Sequence, residues 1–250
     1  MKKFIQFIIF SIVITTLFGS CSNSEDNDDG KKKVVSKITA KFIDNDGSKE
    51  VEVIETFTFN YTNDEVSRIT NSKNNYTNYI YDGKKLLRIT NSTDTANDDN
   101  SITNEYSENL LTKSISEEQI SELFYDSNTK LSEVLTKYIG SDKKYSTKFY
   151  YLGNNVILTT SENFWDKTPE LVTYKYDKGN SPFKNLNINF RLLIGGFNVS
   201  ENNVIEATRG DEIFSYKIIY DSENFPLKST GINKKTGKLW VEYIYEYIKI

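Results

Sequence analysis

The chain of 250 residues contains no histidine, one cysteine, one methionine and three prolines. Each shortage closes a route. Without histidine there is no Ser-His or Cys-His nucleophile and no imidazole metal site. With Cys21 as the sole cysteine there is no internal disulfide, so stability has to come from a buried core. A dense basic face is missing too. Lys and Arg number 31 against 35 Asp and Glu, and the sequence pI is about 5.2. That balance argues against a nucleic-acid partner, because binding phosphates needs clustered positive charge. No catalytic or cofactor motif stands out. The expectation is therefore no catalytic residue, no cofactor and no metal site.

What the chain has in quantity is aromatic residues, 17 Tyr and 15 Phe. Many sit in a repeat. Residues 174–184 read YKYDKGNSPFK and residues 216–228 read YKIIYDSENFPLK. The shared core is Tyr176, Asp177, Pro182, Phe183 and Lys184 against Tyr220, Asp221, Pro226, Leu227 and Lys228. Looser copies are Phe59-Asn60 leading to Val66 and Tyr81-Asp82-Gly83 leading to Leu86. Further copies are Tyr106-Ser107 leading to Leu110, Tyr125-Asp126 leading to Leu131, and Tyr151-Leu152-Gly153 leading to Val156. Two copies also share Arg-Ile-Thr-Asn, at 68–71 and 88–91. In each, an alternating strand ends in an aromatic residue, a polar stretch follows, and a second apolar run begins. Asn and Asp accept hydrogen bonds from their own downstream backbone, which suits a strand end. Glycine supplies positive φ for tight turns. A period of roughly 20–25 residues marks a repeated supersecondary unit, here two strands and a turn.

The N-terminus reads as an export signal. Lys2 and Lys3 precede an apolar run over 4–18, which is short for a membrane span. The run ends Leu17-Phe18-Gly19-Ser20-Cys21. This resembles the lipobox of bacterial lipoproteins, with Phe18 where leucine is usual. The resemblance implies cleavage before Cys21 and acylation of that cysteine; several acyl chains hold a protein stably where one does not. An ordinary secretory signal is the alternative. The expected division is a signal peptide over 1–20, a disordered acidic tether over 21–33 and one β-hairpin-repeat domain over 34–250. The tether carries Glu25, Asp26, Asp28 and Asp29 with no apolar residue through Gly30. An acidic cluster soon after the lipidated Cys resembles the signal that sends Bacteroidetes lipoproteins to the cell surface.

The expected fold is all-β: an antiparallel meander of repeated hairpins forming one large twisted or partly closed sheet. Residues 44–47, Asp-Asn-Asp-Gly, read as a hairpin turn rather than a calcium loop, because the closing bidentate glutamate is missing. Residues 93–100 read as a solvated acidic loop. Ile115 to Leu123 reads as strand. The one break in rhythm falls near 182–195, where Phe183, Leu186, Phe190 and Leu193 recur at helical spacing before Gly195-Gly196. A short helix or coil packed on the sheet is expected there. At the end, Tyr243, Tyr245 and Tyr247 share one strand face, with Ile244, Ile248 and Ile250 on the other. Trp165 is either a stacking platform for a sugar or the cover of a core edge.

The Tyr-Asp copies resemble the YD repeats of RHS-type proteins, and more closely the Bacteroidetes lipoproteins of unknown function built on YD-like repeats. Residues 176–184 and Gly195-Gly196-Phe197-Asn198 carry that closer resemblance. It implies an antiparallel sheet of hairpins on an anchored envelope protein, and transfers no catalytic residue. The resulting expectation is a lipid-anchored outer-membrane module, attached through Cys21, that binds a glycan or a protein. Two alternatives stay open: a periplasm-facing assembly lipoprotein, and a carboxylate-based glycan hydrolase.

Overall fold

The structure is a computed structural model that describes residues 30–45, 50–92, 101–163, 168–194 and 196–250. Its strands are β1 (Lys33–Asn45), β2 (Glu50–Thr62), β3 (Glu65–Asn71), β4 (Tyr76–Asp82), β5 (Lys85–Asn91), β6 (Ile102–Ser107), β7 (Leu110–Ile115) and β8 (Gln119–Tyr125). They continue as β9 (Leu131–Tyr138), β10 (Lys144–Leu152), β11 (Asn155–Asn163), β12 (Glu170–Tyr176), β13 (Val204–Arg209), β14 (Glu212–Tyr220), β15 (Pro226–Asn233) and β16 (Leu239–Lys249). Each pairs antiparallel with the next. β1 also pairs with β16, from Lys33↔Lys249 to Phe42↔Val241. The meander is as the repeat predicts, but its end differs: the sheet is neither open nor partly closed. It is a closed barrel of sixteen strands. Closure leaves no edge strand to template aggregation. The stretch 115–123 is strand on both sides of a tight turn, with β7 ending at Ile115 and β8 beginning at Gln119.

All even-numbered strands end at the same mouth, and all carry a tyrosine there. These are Tyr61, Tyr81, Tyr106, Tyr125, Tyr151, Tyr176, Tyr220 and Tyr247. Beside each one the ladder slips in register. Such bulges bend a strand and raise its twist, so a full ring of them curls the sheet toward closure. The residues opposite the tyrosines are Val66, Leu86, Leu111, Leu131, Val156, Val204, Pro226 and Val35, all 3% exposed or less. Five tyrosine hydroxyls then donate to the carbonyl of the preceding hairpin's buried residue. Tyr106 reaches Leu86 O at 3.0 Å, Tyr125 reaches Leu111 O at 2.7 Å and Tyr247 reaches Pro226 O at 2.8 Å. Tyr61 reaches Val35 O and Tyr176 reaches Val156 O in the same way. The tyrosines form a girdle, and these five stitch a hairpin to its neighbour.

A barrel of sixteen strands is wide enough to leave a lumen that its own wall side chains cannot fill. The segment between β12 and β13 fills it at the girdle end. It contains one short helix, α1 (Ile188–Leu193), and a 3₁₀ turn (Gly196–Val199). Asn187 caps α1 by accepting from the Asn189 N–H. Phe183, Leu186, Phe190 and Ile194 are buried against Val34, Phe59, Val66, Leu86 and Ile89. Phe183 lies 6.4 Å from the Phe59 ring, and Phe190 meets Tyr79 edge-on at 5.0 Å. On the other side Leu192, Leu193 and Val199 pack on a second cluster around Leu111, Leu123, Leu131, Phe149 and Val156. The expected insertion is therefore present, but it sits inside the ring as a plug rather than on the sheet.

Candidate functional site

The repeat motif builds the plugged mouth. Its two full copies lie on β12 and β14, with β13 between them. Tyr176 and Tyr220 are girdle residues. Asp177 accepts from the Gly179 N–H at 2.8 Å and from the Tyr220 hydroxyl. Burial pushes the Asp177 carboxyl up, against the opposing hydrogen bonds from Tyr220, Gly179 and Asn203. A side chain at Gly179 has no room, because a Cβ there would lie 2.2 Å from the Tyr220 ring. Asp221 accepts from the Glu223 and Phe225 N–H groups, each at 2.9 Å, and so shapes its loop. The same carboxylate holds Lys33 Nζ at 2.7 Å, while Glu223 holds it at 3.0 Å. The Lys33 ammonium also lies 5.5 Å from the rings of Phe225 and Tyr247. Burial opposes the Lys33 charge, but the two carboxylates outweigh it and raise its pKa. The prolines differ in role. Pro226 starts β15 opposite Tyr220, whereas Pro182 enters the plug; both are fully buried.

The plug is fastened to the rim at several points. Asn185 donates to Lys33 O at 2.8 Å, and Asn187 to Lys84 O at 2.9 Å. The Asn180 N–H donates to Asn224 O at 2.7 Å, and Val156 N–H to Ser200 Oγ at 3.1 Å. Arg191, itself buried, holds the plug together. It donates to Asn198 O and Ser200 O at 2.7 Å each, and to Lys184 O at 3.3 Å. Burial lowers its pKa to about 10. This mouth is occupied by the chain's own side chains, which turn the motif residues toward structure rather than toward a ligand.

The opposite mouth is different. Its inner face turns from aromatic to hydroxylated with height. Ser121 pairs with Thr136 at 2.8 Å, Thr147 with Ser161 at 3.1 Å, and Thr77 donates to Asn91 at 2.8 Å. Tyr138 and Tyr145 stand on this inner face, each 37% exposed. Gln119 pairs with Tyr138, and Thr136 with Tyr145, across the ladders. Tyrosine beside amide and hydroxyl groups offers apolar contact and hydrogen bonding together. Unlike the plugged mouth, it leaves these groups partly exposed.

The outer wall carries cross-strand ion pairs. Lys37–Glu246, Lys41–Glu52, Lys113–Glu105, Lys137–Glu122, Lys175–Glu206 and Lys228–Glu242 are ion pairs on it, at 2.6–3.2 Å. Lys175 and Lys234 together hold the Glu206 pKa down by hydrogen bonding. Exposed apolar side chains stand among these charges, and Ile80, Phe124, Tyr150, Ile219 and Ile248 each adjoin a girdle tyrosine on the outer face. β6, β7 and β13 have six residues each, about 20 Å of extended chain. A membrane-spanning strand needs about 9–11 residues and an unbroken apolar face.

Cys21 and Trp165 lie outside the described residues, as do the signal segment, the acidic cluster and the loop over 93–100. The turn over 44–47 lies largely outside them, although β1 and β2 pair on either side of it. Two features escaped the sequence reading. The first repeat copy is Tyr61, not Phe59, and an eighth copy stands at Tyr247; the signal for both was an inward tyrosine at a strand end. The partner of Tyr106 is Leu111, one residue beyond Leu110.

No family model matches the chain, and no curated protein is similar to it in sequence. Among solved structures it is similar to a porin-like protein from Bacteroides uniformis ATCC 8492. That match has 11% identity and a TM-score of 0.45, over 86% of this chain and 98% of the other. A porin-like protein from Bacteroides vulgatus ATCC 8482 matches with 11% identity and a TM-score of 0.41, over 87% and 99%. A Photorhabdus luminescens Tc holotoxin pore matches with 15% identity and a TM-score of 0.31, over 75% of this chain and 9% of that one. At these values the likeness carries no function over to this chain.

Proposed function

We propose that the chain is a lipid-anchored cell-envelope protein whose barrel presents a binding face and does not conduct. The observation that carries this reading is the barrel's polarity. Its lumen holds a tyrosine girdle and an apolar plug, and its outer wall holds ion pairs. A membrane channel has the reverse, an apolar band outside and water inside. The lipobox reading of Cys21 supplies the attachment. β1 begins at Lys33 on the plugged rim, where Lys32 and Ile250 exchange backbone hydrogen bonds at 3.0 and 3.1 Å. A tether arriving there holds the plugged mouth toward the bilayer and leaves the hydroxylated mouth facing away. Tyr138, Tyr145 and Gln119 on that mouth suit a glycan or a peptide. No catalytic role is proposed.

Protease treatment of intact cells, with disrupted cells as control, tests the placement. Digestion on intact cells is expected, which places the domain outside. Protection until disruption would place it in the periplasm and turn the search to assembly partners. Cys21→Ala should release the chain from the membrane fraction. Retention of that variant in membranes would defeat the anchor.

A further inference from the structure

One cation on the outer wall departs from the pattern of its neighbours. Arg68 on β3 stands between Asn60 on β2 and Asn78 on β4 across the ladders, where much of the rest of the wall sets glutamate opposite lysine. Among the described residues no carboxylate lies within ion-pair distance of it. Its geometry is nonetheless fixed. The guanidinium lies over the Tyr76 ring at 4.4 Å, and its Nε donates to Asn78 Oδ1 at 2.8 Å. Asn78 is oriented in turn, its Nδ2 donating to Thr90 Oγ1 at 3.3 Å. The arginine borders a groove lined by Asn60, Thr62, Ser67, Thr70 and Asn78.

We propose that this groove binds an acidic sugar, a saccharide unit bearing a carboxylate. Three features of the groove argue for that class. A planar guanidinium with Nε already engaged keeps its two terminal nitrogens for a forked contact with an oxyanion. Stacking on Tyr76 holds the fork still, which lowers the ordering cost of binding. The hydroxyl and amide groups of Thr62, Ser67, Thr70 and Asn60 are partners for sugar hydroxyls, which a simple anion site does not need. The site lies on the outer wall, apart from the hydroxylated mouth, and does not depend on that mouth binding anything.

The test is calorimetric titration of the full mature chain with a short oligogalacturonate. The controls are a neutral galactose oligomer of equal length, inorganic phosphate, and vesicles containing phosphatidylglycerol. Saturable, salt-sensitive binding of the oligogalacturonate is expected, with no binding of the neutral oligomer. Arg68→Gln should weaken it at least about tenfold, and Arg68→Lys should weaken it too, because lysine keeps the charge but loses the fork. Melting temperatures of these exposed-site variants should stay with the parent, so that loss of binding is not loss of fold. Equal binding by Arg68→Gln, equal binding of the neutral oligomer, or binding confined to phosphate or to the vesicles would overturn the proposal.

Discussion

A tyrosine at the end of an inward-facing strand does two jobs here. Its ring fills the lumen, and in five of the eight its hydroxyl caps a carbonyl on the preceding hairpin. The second job separates two variants that look alike in sequence. Tyr125 donates to Leu111 O at 2.7 Å, whereas the Tyr81 hydroxyl is buried without a partner. Tyr125→Phe leaves a buried carbonyl short and should cost about 1–2 kcal/mol. Tyr81→Phe removes an unsatisfied group and should be neutral or stabilising. Urea denaturation of both variants checks the contrast, and equal losses would mean the hydroxyls do no stitching. At this scale the sequence was largely readable, because six of the eight girdle tyrosines precede turn residues that announce themselves, such as Asp82-Gly83 and Asp126. Tyr61 was masked by Phe59, two residues earlier on the same inward face. Tyr247 was masked because the chain ends shortly after it and no turn follows.

The plug is the element on which the barrel's filling depends. Its apolar spacing was legible at Phe183, Leu186 and Phe190, and these are the residues it buries. The spacing overstates the helix, because α1 spans six residues and Phe183 and Leu186 precede it. The rest of the segment is held by side-chain amides on rim carbonyls, and no periodicity encodes those bonds. Phe190, fully buried against Tyr79, is the anchor. Phe190→Ala should cost about 3–5 kcal/mol. Arg191→Met should also destabilise strongly, because it strips donors from Asn198 O, Ser200 O and Lys184 O together. Limited proteolysis should then cut first within 181–200, while cleavage elsewhere would contradict the plug's autonomy as an opening unit.

For the whole molecule, closure was the feature the sequence withheld. A meander of hairpins reads the same open or closed. The decision rests on β1 and β16 finding each other across the full chain, and on bulges that appear only in the ladder. The two faces of β16 were legible as a tyrosine face and an isoleucine face, but not which one turns inward; the structure buries Tyr243 and Tyr245 and leaves Ile244 and Ile248 exposed. One consequence is a sharp alkaline limit. Burial pushes Tyr106 and Tyr174 up to about 12, and raises Tyr61, Tyr79, Tyr125, Tyr151, Tyr176, Tyr216 and Tyr247 further. Below about pH 10 these groups are protonated in both states, so stability is intact. Above it the unfolded chain loses protons that the barrel retains, and each such tyrosine removes about 1.4 kcal/mol per pH unit. Tyrosinate absorbance should therefore rise in one step together with loss of β circular dichroism; gradual ionisation in a folded barrel would show that the lumen is wet. The most direct test of the central claim, a filled barrel whose wall faces water, is to prepare residues 22–250 without the lipidated cysteine and without detergent. A monodisperse β protein that melts cooperatively in plain buffer is the predicted result. A chain that folds only in micelles or vesicles would contradict it and make the barrel a membrane-spanning one.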